Sequence, residues 1–294
     1  MRLRAKSWGE RLFDTANIGF MIGLTVLFAY PFWNLAVLSF TTPRYADTLG
    51  LRLYPREFTA AAYQALFDND LLLTAYANTI LRTALGTGLI VLVTFFGAYA
   101  LSRRDLPLRG TITALLLVTL FFSGGLIPSY LNIRNLGLID SLWALILPGM
   151  TNAWYIILAR NFFMTFPQEL EESAIMDGAN PIQAAMRIIW PLSLPVIAVV
   201  SLWSAVYHWN SWFDAFIYIR DTDKYVLQLL VRRIIMQGQE TFSGNGLFMP
   251  TTEAASTESL KAAAIIMSIL PIVAVYPFIQ KYFVKGIMIG ALKG

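Results

Sequence analysis

Six blocks of apolar residues divide the chain of 294 residues, at 17–40, 79–101, 111–132, 139–160, 196–219 and 262–283. Each is long enough to cross the hydrocarbon layer of a bilayer as a helix, which takes roughly 20 residues. Inside lipid every backbone N–H and C=O must find a partner within the protein, so only helices and closed barrels can span. Barrel strands alternate apolar and polar residues with period two. These blocks do not alternate, and Gly and Pro fall inside them. The predicted fold is therefore all-α: a polytopic membrane bundle of six transmembrane helices, forming one domain over 1–294. Composition agrees, since 14% of residues are charged where a soluble domain has about 25%. The first block is too long for a secretory leader and no small-x-small cleavage site follows Phe40, so it reads as a retained span.

Lys and Arg set the orientation, because short cytoplasmic segments are enriched in both. Arg2, Arg4, Lys6 and Arg11 precede block one, and Arg103, Arg104 and Arg109 lie between blocks two and three. Lys281, Lys285 and Lys293 mark the tail, whereas the turn between blocks three and four carries only Arg134. Both termini are predicted cytoplasmic, as is the connection 161–194; the connections 41–78 and 220–261 face outward. Within the outer loops, 58–67 reads as a short amphipathic helix and 237–246 as a polar, Gly-rich piece. In span two, Ala84 and Gly88 have the spacing that lets helix backbones approach closely, either within the chain or against a second membrane subunit.

Several function classes are excluded. The net charge of +4 is spread along membrane edges, so no nucleic-acid partner is expected; membrane lipid is. There is no cysteine, and His208 is the only histidine, so neither a disulfide nor a metal site is expected. His208 reads instead as a hydrogen-bonding residue to a neighbouring span. No catalytic constellation (paired Asp, Ser with His, or a His-Glu-x-x-His site) lies in the spans, so no catalytic residue is assigned and an intramembrane enzyme is disfavoured. The chain has no Gly-rich loop ending in Gly-Lys-Ser/Thr, so it does not hold nucleotide by that route. Arg82, Arg160 and Asp214 are placed near span ends and none in a span centre, which argues against an ion-coupled secondary carrier.

The connection 161–194 carries more than a return to the membrane needs. Pro167 suits the first position of a helix, with Glu169, Glu171 and Glu172 favoured by the helix dipole in its first turns. Ser173 and Ala174 form a small surface, and Gly178 suits a left-handed cap. Asn180 and Gln183 have the spacing of a capping box around Pro181, opening a second helix that runs to about Trp190 and is stopped by Pro191 and Pro195. Two readings fit this helix–turn–helix: an amphipathic segment on the membrane surface, or a docking element for a protein partner. The acidic first turn favours the second, because anionic lipid heads would repel it.

The pattern Glu172-Ser173-Ala174, three residues, Gly178, nine residues, Ile188-x-Trp190-Pro191 resembles the EAA loop of ABC importer permeases, with Ser173 for Ala and Trp190 for Leu. Phe122-Ser-Gly-Gly-Leu-Ile-Pro128, Asn161-Phe-Phe, His208-Trp-Asn-Ser-Trp212 and Gln280-Lys-Tyr-Phe-Val-Lys-Gly-Ile-Met-Ile-Gly290 resemble the LplC/YtcP-type branch of oligosaccharide importers, related to the maltose-type permeases. The resemblance is strongest to the second permease of alginate oligosaccharide importers. It implies a type I importer permease in a bacterial inner membrane, taking up uronate-rich fragments of alginate or pectin type by alternating access. It implies a second homologous permease, two ATPase subunits that bind the ATP and magnesium, and an extracytoplasmic solute-binding protein, with no cofactor in this chain. Glu172, Ser173, Ala174, Asp177, Gly178, Ile188 and Pro191 would couple to the ATPase.

The candidate sugar path is span five. Trp203, Tyr207, Asn210 and Asp214 recur at four, three and four residues, which places them on one face of a continuous helix. Aromatic faces suit sugar rings, and Asn or Asp suits their hydroxyls. The same pattern also fits an interfacial aromatic belt with interhelical packing. Asn132, Arg134, Asn135 and Asn152 lie at the predicted outer edge, where a binding protein would dock.

Overall fold

The computed structural model describes residues 7–46, 48, 50–167, 169–237 and 255–291, with the backbone alone at 237, 276 and 278–291. Among these residues the structure is helical, apart from one isolated bridge between Thr41 and Phe58. In chain order the helices are α1 (Trp8–Ser39), α2 (Pro43–Ala46), α3 (Ala61–Phe67), α4 (Asp70–Ser102), α5 (Arg109–Phe121), α6 (Leu126–Asn135), α7 (Trp143–Ile146) and α8 (Ala153–Phe163). They continue as α9 (Glu169–Met176), α10 (Pro181–Ala184), α11 (Trp190–Leu192), α12 (Leu194–Asn210), α13 (Phe213–Tyr218), α14 (Leu227–Gln237) and α15 (Thr257–Ala291). The chain divides into two compact units: 1–69 with 233–269, and 70–232 with 270–294.

Three of the apolar blocks form helices of spanning length, α1, α4 and α15. Block three is a bent pair, α5 and α6 meeting at 113°, and block five is entered by a bend of 80° between the segment Pro181–Leu192 and α12 and is interrupted again between α12 and α13. Block four is broken by a 3-10 turn at Leu147–Gly149 into α7 and α8. The structure thus departs from six straight spans, and the causes are local. Phe122-Ser-Gly-Gly125 ends α5 with Gly125 at φ +86°, and Pro148 with Gly149 interrupts block four. The polar piece 237–246 lies outside the described residues beyond Gln237, the last residue of α14.

In the first unit α1 is mostly exposed. A capping box opens α1, in which Ser7 N–H donates to Glu10 Oε2 at 2.7 Å and Glu10 N–H to Ser7 Oγ at 3.3 Å. Only Val37, Leu38 and Ser39 of α1 are buried. There Leu38 meets Ala46 and Ala262, Phe40 stacks on Phe58, and the Ser39 and Tyr63 hydroxyls lie 2.8 Å apart. The rest of α1 presents Phe20, Ile22, Leu27 and Phe28 outward, the composition of a lipid- or subunit-facing helix.

In the second unit α4 packs along α12 and α8. Lipid tails are as apolar as Leu, so helices in a bilayer are held by close packing and polar contacts. Both occur here. A Cβ built on Gly86 would stand 2.4 Å from His208 Nε2, so the missing side chain is what lets the imidazole lie on the α4 backbone. His208 is fully buried, and among the described residues neither ring nitrogen has a hydrogen-bond partner. The expected bond to a neighbouring span is absent because the ring faces a bare glycine. Ala84 and Gly88, the predicted close-approach pair, are exposed, with nothing within 4 Å of a Cβ on Gly88.

The turn after α6 is fixed by Asp140. Its backbone sits at φ +62° and its N–H donates to Tyr218 O at 2.8 Å. Its carboxylate accepts from Arg220 N, Asp221 N and Lys224 Nζ, each at 3.0 Å. The Asp221 N–H first of all, with Lys224 and the Arg220 N–H beside it, holds this carboxyl below the usual Asp range.

Two predictions follow from this packing. Gly86→Ala should lower thermal stability by about 1–3 kcal/mol, the usual cost of overpacking, and His208→Ala in the same chain should restore most of it, both read from melting curves of the purified protein. For Asp140 the folded pKa is depressed, so its stabilisation is present above the unfolded pKa and is lost as pH falls through the folded one. Asp140→Asn, which tolerates the left-handed backbone, should melt below the parent at neutral pH, with the gap closing on acidification. A gap that persists under acid would show that the charge is not what matters.

Candidate functional site

The connection between α8 and α12 is a stack of short, well-capped helices. Described helix begins at Glu169, two residues after Pro167, with Gln168 outside the described residues. At the other end of α9, Gly178 N–H donates to Ile175 O at 2.9 Å and Ala179 N–H to Ala174 O at 3.0 Å. With Gly178 at φ +85°, this is the paired six-to-one and five-to-two bonding of a Schellman cap. Asn180 and Gln183 then form a reciprocal capping box, with bonds of 2.9 and 3.0 Å and Pro181 in the first turn.

The second helix does not stop at Pro191. It widens into a π turn over Ala185–Ile189, passes through Pro191 as α11, and bends into α12 at Ser193. Proline has no N–H to donate and its ring opposes the carbonyl four residues earlier. A widened turn just ahead of it accommodates both. Ser193 Oγ donates to Ile189 O at 2.5 Å, satisfying a carbonyl at the bend.

The structure separates the loop residues singled out in the sequence. Glu172, Ser173, Asp177, Gly178 and Pro191 are exposed, and Ala174 is half-buried. Ile188 turns inward, with Trp190, onto a core formed by Phe95, Ala98, Tyr99, Ile156, Phe163 and Ile189. Trp190 meets the Phe95 ring edge-on at 4.8 Å between centroids, so the larger residue at that motif position fills an aromatic core. The outer surface carries Met176 at 87% exposure and Ile182 at 67%, beside the glutamates. Glu171 points the other way: its carboxylate pairs with Arg103 and accepts from the Tyr99 hydroxyl at 2.5 Å.

On α12, Trp203, Tyr207 and Asn210 share an exposed face. Asp214 is not on that helix. The chain breaks at Ser211 and Trp212, and Asp214 sits in the first turn of α13. The break nonetheless brings Asp214 to the same open cleft of about 490 Å³ as Tyr207, Asn210 and Trp212. Both carboxylate oxygens have partners: one accepts from Ala215 N at 2.9 Å and the other pairs with Arg82, whose guanidinium also donates to Ser211 O at 3.0 Å. Arg82 is fully buried. It lies well inside α4, because that helix begins at Asp70, ahead of the apolar block. Asn152 spends its side chain capping α8, accepting from Tyr155 N at 3.2 Å, while Asn132, Arg134 and Asn135 are exposed.

Reading the sequence missed the Arg82–Asp214 pair and the Arg103–Glu171 pair. A signal for the first was present: Arg82 is the one charged residue of block two and Asp214 the one acid of block five. Ionisable groups in apolar spans are expected to pair with one another. No comparable signal marks the second, since Arg103 has Arg104 and Asp105 as neighbours and reads as a simple membrane-edge charge.

No family model matches the chain. Individual proteins do. The polygalacturonan/rhamnogalacturonan transport system permease protein YtcP of Bacillus subtilis is 38% identical over 97% of this chain and 99% of its own length. Protein LplC of the same organism is 39% identical over 97% of this chain and 96% of its own. A crystal structure of a bacterial ABC transporter involved in the import of the acidic polysaccharide alginate contains a chain that superposes with a TM-score of 0.85, at 30% identity, covering 96% of this chain and all of that one. Identity at this level along the whole length, with the fold shared as well, places the chain in the family of ABC sugar-transport permeases.

Proposed function

We propose that this permease takes up uronate-rich oligosaccharides, of the alginate or pectin-fragment class, as the membrane subunit of an importer driven by separate ATPases. The relatives' substrates named above, polygalacturonan, rhamnogalacturonan and alginate, are all acidic polysaccharides or contain one. The orientation is the one drawn from Lys and Arg, with 161–194 inside. The complex contains a second permease, two ATPase subunits holding ATP and magnesium, and an external binding protein. This chain carries no cofactor of its own.

One observation supports the coupling role above the rest. On a loop outside the long spans, Met176 and Ile182 stand exposed beside Glu172, Ser173 and Asp177, on a scaffold fixed by a Schellman cap and a capping box. Exposed apolar side chains on a rigid polar element mark a partner surface. ATP-driven closure of the partner would push on this surface and rock the bundle between inward- and outward-open states.

The cleft lined by Tyr207, Asn210 and Asp214, with Trp203 one turn before Tyr207 on the same exposed face of α12, is the proposed sugar path. An unpaired carboxylate there would repel a uronate. Arg82 removes that objection by pairing with Asp214 from behind, leaving aromatic faces and neutralised polar groups toward the ligand.

Gly178→Pro cannot adopt the positive φ of the cap, and Glu172→Lys reverses a charge on the outer face. Both should abolish co-purification of the ATPases while membrane insertion persists; retained ATPase binding in both would remove the docking reading. Arg82→Met leaves Asp214 unpaired, which typically costs about 3–5 kcal/mol for a buried pair, and should abolish accumulation of folded protein. Asp214→Asn leaves the buried Arg82 without its counter-charge and should also lower the yield of folded protein, but uptake of an oligogalacturonate or alginate oligomer per folded transporter should stay within about threefold of the parent, under 1 kcal/mol. A larger loss with Asn would assign the carboxylate a direct role with the sugar.

A further inference from the structure

We infer that Arg103 and Tyr99 are positioning residues that lock the docking loop to the end of α4, so that loop and α4 move as one body during transport. The inference rests on the coupling role proposed for the loop, and it names the helix through which motion enters the bundle.

Three glutamates open α9, and they are not equivalent. Glu169 and Glu172 are exposed, while the Glu171 side chain is only 22% exposed and lies against the end of α4. Its Oε1 accepts from both Arg103 Nη1 and the Tyr99 hydroxyl. Arg103 is itself oriented by Asp105, through Nε and Nη2 at 3.0 Å each. The guanidinium is therefore held on two edges, which removes the rotamer freedom that makes most surface ion pairs weak. Beside this polar clamp lies an apolar one: Phe95, Ala98, Tyr99 and Leu101 of α4 pack against Ala185, Ile189 and Trp190 of the loop. Leu101 O, exposed by the end of α4, accepts from Arg109 Nε at 2.9 Å and Arg160 Nε at 3.1 Å. The end of α4 is thus fastened on both sides.

By contrast, the covalent exit from the loop is not a continuous helical rod. The route into α12 passes through a π turn, a proline and an 80° bend at Ser193. A push on α9 through that route would be absorbed in the bend. A push through Glu171 reaches α4 directly, and α4 carries Gly86 against His208 and Arg82 against Asp214 at the proposed sugar path.

The test uses the complete transporter in proteoliposomes with its ATPases. The chain has no cysteine, so with cysteine-free partner subunits a single introduced thiol reports without background. With ATP and vanadate as the driving ligand, Tyr207→Cys labelling by an impermeant maleimide reads opening of the path without needing a known sugar. In that background Arg103→Ala and Glu171→Gln should each keep ATPase co-purification and hydrolysis, but reduce ATP-dependent labelling about tenfold, the scale set by one charge-assisted hydrogen bond. The reversed pair Arg103→Glu with Glu171→Arg should recover labelling to within about threefold.

A second arm does not depend on weakening the fold. Arg103→Cys with Glu171→Cys, bridged by a bifunctional thiol reagent about as long as the two side chains it replaces, should still take up an alginate or galacturonate oligomer at the rate of the unbridged pair. Arrest on bridging, or normal ATP-dependent labelling in both single variants, would overturn the inference. Glu172→Lys separates the two readings. If the ATPases stay bound both in it and in Gly178→Pro, the docking reading is wrong; if it releases them while bridging arrests uptake, only the rigid link is wrong.

Discussion

The pairing of Arg82 with Asp214 is the contact on which the second unit turns. A charged guanidinium in an apolar helix is tolerated only with a partner, and here the partner sits just past a break between α12 and α13. The same guanidinium donates to Ser211 O, the carbonyl that the break exposes. One side chain therefore neutralises a carboxylate, satisfies an orphan backbone group and ties α4 to the break. Without it the kink would leave buried polar groups without partners, each costly in a medium without water.

The neighbouring turns obey the same constraint. Thr79 Oγ1 accepts from Leu227 N at 2.8 Å, and Asn78 Nδ2 donates to Asp223 O and Tyr225 O at 2.8 and 3.0 Å. With Arg82 these make a polar stripe over the first half of α4, set against the non-helical backbone that follows α12 and α13. Farther along the helix the stripe gives way to Gly86, Ile90 and Phe95, where contact is mainly by shape, with one long hydrogen bond from Ser204 to Thr87. α4 thus has a polar first half that holds irregular backbone in place and a second half whose apolar face packs on the loop and α8, with the Tyr99–Glu171 clamp at its end. This division explains how a broken helix can sit beside α4: its unpaired backbone groups are taken up by one long, regular neighbour.

Much of this was legible in the chain. The helical class follows from block length, and the cap residues of the loop, Gly178, Asn180 and Gln183, do locally what their chemistry favours, because capping is decided within a few residues. The breaks were less legible. Gly124-Gly125, Pro148-Gly149 and Ser211-Trp212 each lie inside an apolar run, and hydropathy sums across them. What forces the chain to bend there is the identity of single residues and the partners waiting on α4, neither of which a window average registers. The side-chain pairings were least legible. Arg103 with Glu171 joins residues 68 apart, and nothing in either neighbourhood distinguishes that glutamate from Glu169 or Glu172. Only the direction of the α9 axis decides which one turns inward, and that direction is set by the apolar seat of Ile188 and Trp190.

That dependence has a consequence for how the motif works. Its first half, from Glu172 to Gly178, forms the outer surface, and its second half, Ile188 with Trp190, forms the seat. On the proposed reading the nine-residue spacing is a mechanical requirement. The turn at Gly178 and the box at Asn180 set the distance from the contact surface to the seat, so a residue inserted between them would rotate one half relative to the other. In a helical segment one residue is about 100° of rotation, since 3.6 residues make a turn. Glu171 would swing off Arg103, and the surface would lose its connection to α4 even with every contact residue still present. The fixed spacing and the inward glutamate are then two aspects of one constraint: a surface that receives force must keep a constant orientation to the helix that carries it.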